Sequence, residues 1–285
     1  MTDTARALLW ALTATALYSL AAALAKLAAA RFHVLEILFL RQSVVLASTL
    51  PMIAPGFPAS LSTRRPGLHA LRILGAFAAL GGGIWAVAVL PLATATTLGF
   101  AQVFFMGGLG ALVLGEPLGR ARLLAMVLGF AGVLVVMRPG VQGLVDLRAL
   151  IPLAAALGAA VATICVRVLS QTDSTATLLA WQSLMILPVA GIPLFWLWQS
   201  PSPADAVLML AMGLAATSGQ WAGIRALRLG EAGLVGNIEY MKLVYATLLG
   251  LALFGEWPDG ATLAGAALIV LAAVLIARRG GRARS

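Results

Sequence analysis

Hydrophobic runs of about 20 residues, separated by brief clusters of charge, proline and glycine, recur along this chain from Ala7 to Ala277. A helix of that length rises about 30 Å, the thickness of a bilayer's hydrocarbon core. In that medium each backbone N–H and C=O must be satisfied inside its own segment, so the runs predict helices. Composition removes the soluble alternative: 61% of residues are apolar and 10% charged, with a mean hydropathy of +1.00. Soluble domains carry about 25% charge, and this chain could not cover a core with what it has. We expect an all-α membrane protein.

Cutting at charges, prolines and turn residues gives runs at 7–28, 34–53, 70–90, 92–114, 120–137, 149–169, 175–198, 204–227, 232–254 and 258–277. These predict ten transmembrane helices. The first run is too long for a signal-peptide core and is followed by many like it, so it reads as the first span. Around Pro91 two spans meet with almost no loop.

The net charge is +9, and the distribution of the 19 basic residues explains it. Arg31, Arg138 and Arg148 fall on one side of the membrane, and Lys26, Arg41 and Lys242 lie within runs. All the others, from Arg6 through Arg64, Arg65, Arg120 and Arg225 to Arg284, fall on the other side. The positive-inside rule then puts both termini in the cytoplasm, for a multi-pass protein of a bacterial inner membrane. It accounts for the charge without nucleic acid. Trp196, Trp198 and Trp257 fall at outer span ends and Trp10 near an inner one, as interfacial aromatics do. One cysteine and two histidines exclude a disulfide framework and an ordinary Cys/His metal site, so no metal or cofactor is expected.

An internal repeat appears at a shift of about 140 residues. Leu40-Arg41-Gln42-Ser43 aligns with Ala180-Trp181-Gln182-Ser183, and Leu114-Gly115-Glu116 with Phe254-Gly255-Glu256. At a shift of 136, Gly83-Ile84-Trp85-Ala86 faces Gly219-Gln220-Trp221-Ala222. Five spans in each half, an odd number, force the second half to enter the membrane upside down. The expected organisation is two inverted five-helix repeats, residues 1–140 and 141–285, an architecture that suits alternating access.

The five-span halves, the basic residue closing the first span of each (Lys26, Arg167), Phe39-Leu40-Arg41 in the second span, and Gly115-Glu116-Pro117 with Gly255-Glu256-Trp257 after the fourth resemble the drug/metabolite transporter superfamily and its paired EamA-type repeats. The resemblance covers nearly the whole chain and is strongest to YddG-type bacterial exporters of aromatic amino acids. It implies a ten-helix transporter opening a central cavity. Trp181 stands where the first half carries Arg41, which predicts unequal roles for the two halves.

No Walker loop is present: Gly81-Gly82-Gly83 and Gly107-Gly108-Leu109-Gly110 lie inside apolar runs and read as small-residue helix contacts. Intramembrane charges mark function, and Lys242 and Gln102 each fall ten residues into their runs, near mid-depth. Lys242 is expected to attract a substrate carboxylate, with hydrogen bonds from Gln102 and Asn237; a self-neutralising pair with Glu239 is the alternative. Trp85 and Trp221 are expected to close opposite ends of one cavity. Tyr18, Trp181, Gln182, Gln220, Tyr240 and Tyr245 complete the candidate substrate-binding set. Thr15, Tyr18, Ser19, Ala22 and Lys26 share a polar helix face expected to look at the cavity. Glu36 is expected to pair structurally with Arg41 or its neighbours, Lys26 and Arg167 to snorkel, Glu116 and Glu256 to act at turns, and Cys165 to pack.

These readings predict a monomeric exporter of aromatic and other neutral amino acids, whose only partners are a small-molecule substrate and the lipid bilayer. Scarce intramembrane carboxylates favour facilitated export or exchange over a proton pump. Export of drugs, nucleobases or other amphiphiles is the second reading. A membrane enzyme or scaffold is the third, and it lacks any nucleophile, acid pair or metal set.

Overall fold

The computed structural model describes residues 3–114, 120–137, 147–169, 171–229 and 238–280, and every regular element among them is helical. Helix α1 runs Asp3–Ala29, α2 Val34–Ile53, α3 Pro66–Val89, α4 Leu92–Gly99, α5 Gln102–Leu114 and α6 Arg120–Met137. In the second half α7 runs Leu150–Leu169, α8 Thr175–Gly191, the short α9 Leu194–Leu197, α10 Pro203–Leu229, α11 Met241–Phe254 and α12 Gly260–Gly280. Five segments of described residues are long and apolar enough to cross a membrane: Ala5–Ala29, Val34–Gly56, Pro66–Val89, Leu92–Val113 and Leu147–Val166. Shorter apolar helices at Met126–Met137, Thr177–Gly191, Met241–Phe254 and Gly260–Ala272 fall on later runs.

Local chemistry sets the ends. Ser174 accepts from the Thr177 amide at 3.1 Å to open α8, and Asp259 accepts from the Thr262 amide at 2.7 Å to open α12. Helix α3 begins at Pro66, four residues before the apolar run, because proline's missing N–H costs nothing in a first helical turn. Only Leu90 and Pro91 separate α3 from α4.

Helix pairs hold the bundle. Helix α1 packs along α10, α3 along α7, α6 along α12, and α2 along α8, while α11 lies against α1 and α4. Glycine sets two of these crossings. A Cβ on Gly75 would stand 2.6 Å from the Gly158 carbonyl, and one on Gly265 2.6 Å from the Gly132 carbonyl. Of the glycine clusters expected to make such contacts, Gly82 does meet Ala155, whereas Gly108 reaches only the end of Met126 at ordinary distance. Close approach here depends on isolated glycines facing each other, which clustering does not reveal. Outward surfaces are apolar: Leu112 and Phe195 are 84% and 85% exposed.

One face, here the terminal face, carries the start of α1, the end of α12 and the α2–α3 and α7–α8 connections. Opposite it lie the α1–α2, α3–α4 and α11–α12 connections. Cross-links respect that division: Thr63 bonds Asp173 on the terminal face, and Arg31 pairs with Asp205 on the opposite face.

Two interior runs are broken. Between α4 and α5 the amides of Phe100, Ala101, Val103 and Phe104 bond three residues back, to Thr97, Leu98, Phe100 and Ala101. Before α11 the amides of Lys242 and Leu243 do likewise, to Glu239 and Tyr240. These tightened turns replace regular helix at positions about 140 residues apart.

Candidate functional site

The two breaks meet. Phe100 and Tyr240, residues separated by that same interval, have ring centroids 5.4 Å apart. The break between α4 and α5 thus faces the tightened turn that opens α11, and such irregular backbone inside a bundle is not exposed to lipid.

Around this junction lies a charged and aromatic group. Lys242 pairs with Glu239 one turn away, and its Nζ sits 5.0 Å from the centroid of the Tyr18 ring on α1. Both partners keep partial exposure, 27% for the Lys242 side chain and 41% for Glu239. The pairing alternative to a free Lys242 is therefore present in this structure, within a group that still reaches open space. Arg41 of α2 lies in the electrostatic field of Tyr18, as does Glu239. Counting ~1.5 Å per residue, Arg41, Tyr18 and Lys242 stand about 10, 16 and 18 Å in from the opposite-face ends of their helices.

The expected Glu36–Arg41 pairing does not form. Glu36 is fully buried and accepts from the Gln199 amide at 3.3 Å, because at the first turn of α2 it faces the segment entering α10. Thr15 and Ser19 are buried as well, with the Thr15 hydroxyl bonded back to the Ala11 and Leu12 carbonyls. Of the polar stripe on α1, Tyr18 enters the mid-depth group and Lys26 the closure described below.

Gln102 opens α5 just past the break and is directed elsewhere than Lys242. Its amide reaches Thr163 of α7 at 3.4 Å and borders a cavity of about 210 Å³ with Thr96 and Gly99. Trp85 is half-exposed in a groove of about 910 Å³ formed by α3, α7 and the α1–α2 junction, toward the opposite face. Trp221 is half-exposed on α10, eight residues from its terminal-face end. Gln220 beside it and Tyr245 on α11 are half-buried. Asn237 and the Gly115–Pro117 motif lie outside the described residues, as does the Arg167 side chain.

Sequence reasoning missed a closure on the opposite face. Lys26 donates to the Leu90 carbonyl at 2.7 Å and to Glu256 Oε1 at 2.5 Å, while Glu256 Oε2 accepts from the Leu92 amide at 2.9 Å. The Phe254 ring lies 5.1 Å from Lys26 Nζ. Gly255 makes this possible: at φ +64° it ends α11 in the left-handed region, which favours glycine, and turns Glu256 inward. Lys26 therefore does not snorkel, and Glu256 joins three segments rather than simply finishing a turn. The signal was available in the repeated Gly-Glu motif and the basic residue closing each first span.

Trp181 and Gln182 take their places in a polar cluster near the terminal face. Trp181 Nε1 donates to the Leu61 carbonyl at 2.9 Å, and Arg72 donates to the Leu178 carbonyl at 2.8 Å and to Gln182 Oε1 at 3.0 Å. The His69 ring lies 5.2 Å from that of Trp181, and His69 Nε2 is 2.7 Å from Asp173 Oδ2. Burial alone would push the Asp173 carboxyl up; hydrogen bonds from His69, Thr63 and Thr172 outweigh it and hold the group below its usual range. Cys165 is a buried free thiol.

Comparison with known proteins completes the picture. The model of the EamA-like transporter family matches twice, over residues 5–138 and 148–278. A riboflavin transporter of Vibrio cholerae is 28% identical over 273 residues, covering 94% of this chain and 91% of its own. A pseudopaline exporter of Pseudomonas aeruginosa is 30% identical over 277 residues, covering 95% of each chain. An S-adenosylmethionine uptake transporter of Rickettsia prowazekii is 25% identical, covering 94% and 90%. One protein of known crystal structure shares the fold, with a TM-score of 0.66 at 19% identity over 98% of this chain and 99% of that one.

Proposed function

The chain belongs to the EamA-like transporter family and is a membrane transporter, not an enzyme; from that premise we propose that it exports aromatic and other neutral amino acids or related metabolites by alternating access. The observation that carries this reading is the contact of Phe100 with Tyr240, where the α4–α5 break meets the turn that opens α11. Half-helix ends at a repeat interface supply polar backbone to a substrate that ordinary spans cannot. The two rings, tilted to each other by 36°, suit a flat apolar side chain, and Lys242, Glu239 and Tyr18 beside them suit a charged head group.

In this reading residues 1–140 and 141–285 are inverted repeats, and the pairings α1 with α10 and α3 with α7 are counterparts under that inversion. The terminal face is cytoplasmic, the membrane is the bacterial inner membrane, and the protein works as a monomer. The Lys26–Glu256 link closes the outer side, so the structure corresponds to a state shut toward the outside. Trp85 and Trp221 border the two ends of the path. Larger amphipathic metabolites form a second reading, favoured by relatives named for riboflavin and pseudopaline.

Exchange in proteoliposomes tests it. Vesicles preloaded with unlabelled phenylalanine should take up labelled phenylalanine with no pH gradient. Accumulation that required a pH gradient would replace facilitated exchange with proton coupling and make Glu239 the first suspect. Absence of exchange for amino acids, with exchange of riboflavin-like amphiphiles, would favour the second reading.

A further inference from the structure

Lys26, Arg41 and Lys242 lie within hydrophobic runs, and the structure treats them differently. Lys26 is held by Glu256 and a carbonyl, and Lys242 by Glu239. Arg41 makes no hydrogen bond or ion pair with any described residue, although its guanidinium carries five donors. Glu36, the nearest carboxylate on its own helix, is turned away to the Gln199 amide. An unpaired guanidinium at membrane depth is costly unless it reaches water or an anion. Arg41 as a residue is half-buried, and its guanidinium lies within electrostatic reach of Tyr18.

Tyr18 ties Arg41 to the mid-depth group. Arg41 acts on Tyr18, whose ring also carries Lys242. Because Glu239 pairs with Lys242, the uncompensated charge among the described residues of the group is that of Arg41. Phe100 and Tyr240 provide an apolar wall next to Glu239 and Lys242.

We propose that Arg41 is a substrate-specificity residue that binds the single anionic group, a carboxylate, of an amphipathic substrate whose flat body rests on Phe100 and Tyr240. This assigns to Arg41 the carboxylate recognition that sequence reasoning gave to Lys242, and it rests on the transporter reading above. A guanidinium fork matches a carboxylate with two parallel hydrogen bonds, which an ammonium cannot reproduce.

The test pairs acids with their uncharged amides. Purified protein in nanodiscs is titrated with phenylalanine, 3-phenylpropionate and indole-3-acetate, and with the amide of each, following thermal stabilisation. Wild type, Arg41→Lys and Arg41→Gln are compared, with the unliganded midpoint and gel-filtration profile showing that each variant folds. Acids should bind at least about tenfold more tightly than amides to wild type. Arg41→Gln should lose that preference, and Arg41→Lys should keep part of it. Equal binding of acids and amides, no stabilisation by any acid, or an unchanged preference in a folded Arg41→Gln variant would each overturn the proposal. Phenylalanine flux in proteoliposomes is measured alongside. If flux is absent while the Arg41-dependent preference persists, the amino-acid export reading fails and the site stands.

Discussion

Asp173 shows how one buried residue can set a pH limit. It collects His69, Thr63 and Thr172, tying the α2–α3 connection to the α7–α8 connection. Replacing it with alanine leaves those donors unsatisfied, at a cost of about 1–3 kcal/mol, read as a lowered thermal midpoint at pH 7. Because its folded carboxyl is held below the usual value of about 3.9, its contribution is present above that pH and is lost as pH falls below it. The acid-side fall in midpoint should therefore be shallower in Asp173→Ala than in wild type. Tyr18 gives a second residue-scale prediction. Tyr18→Phe keeps the ring face for Lys242 and should leave uptake within about twofold, whereas Tyr18→Ala removes a contact worth roughly 0.5–2 kcal/mol and should slow uptake more.

At the scale of elements, the Lys26–Glu256 link binds α1, the α3–α4 junction and the α11–α12 connection into one closure. Glu256→Gln should loosen it. With the buried Cys165 giving a low background, a cysteine placed at Thr94 should react faster with an impermeant maleimide in Glu256→Gln than in an otherwise wild-type chain. Equal rates would remove the closure from the account. Gly75→Val should disrupt the α3–α7 crossing, since its Cβ would stand 2.6 Å from the Gly158 carbonyl, and should lower the thermal midpoint by about 1–3 kcal/mol equivalent. Helix positions were legible in the sequence because lipid demands long apolar runs, and α2 and α6 match theirs to the residue. Helix breaks at Phe100 and Glu239 were not, since they interrupt apolar runs with no proline and arise from backbone turns that tertiary packing stabilises. Of the candidate site residues, Lys242 and Tyr18 stand out in the sequence because ionisable and polar groups are rare within apolar runs, and the structure brings these two together. The sequence does not show where Trp181 settles: an indole N–H needs an acceptor, and the Leu61 carbonyl near the terminal face supplies it.

At the scale of the whole molecule, the proposed inverted halves would give each side of the membrane its own closure, with the Lys26–Glu256 link as the one made here. The positions of Trp85 and Trp221 on half-exposed helix faces suit the two ends of the substrate path. Replacing each singly with alanine should impair transport without loss of the folded protein; unchanged transport in both would refute that role. The central claim is a transporter whose substrate passes Lys242 at mid-depth. Its most direct test is uptake of labelled phenylalanine, threonine and methionine into liposomes containing the purified protein, beside a Lys242→Ala variant and empty liposomes. The account predicts saturable uptake by wild type, reduced in the folded variant because Glu239 then stands unpaired beside Tyr18 and Tyr240. Uptake of all three no greater than in empty liposomes, or an unaffected variant, would contradict it.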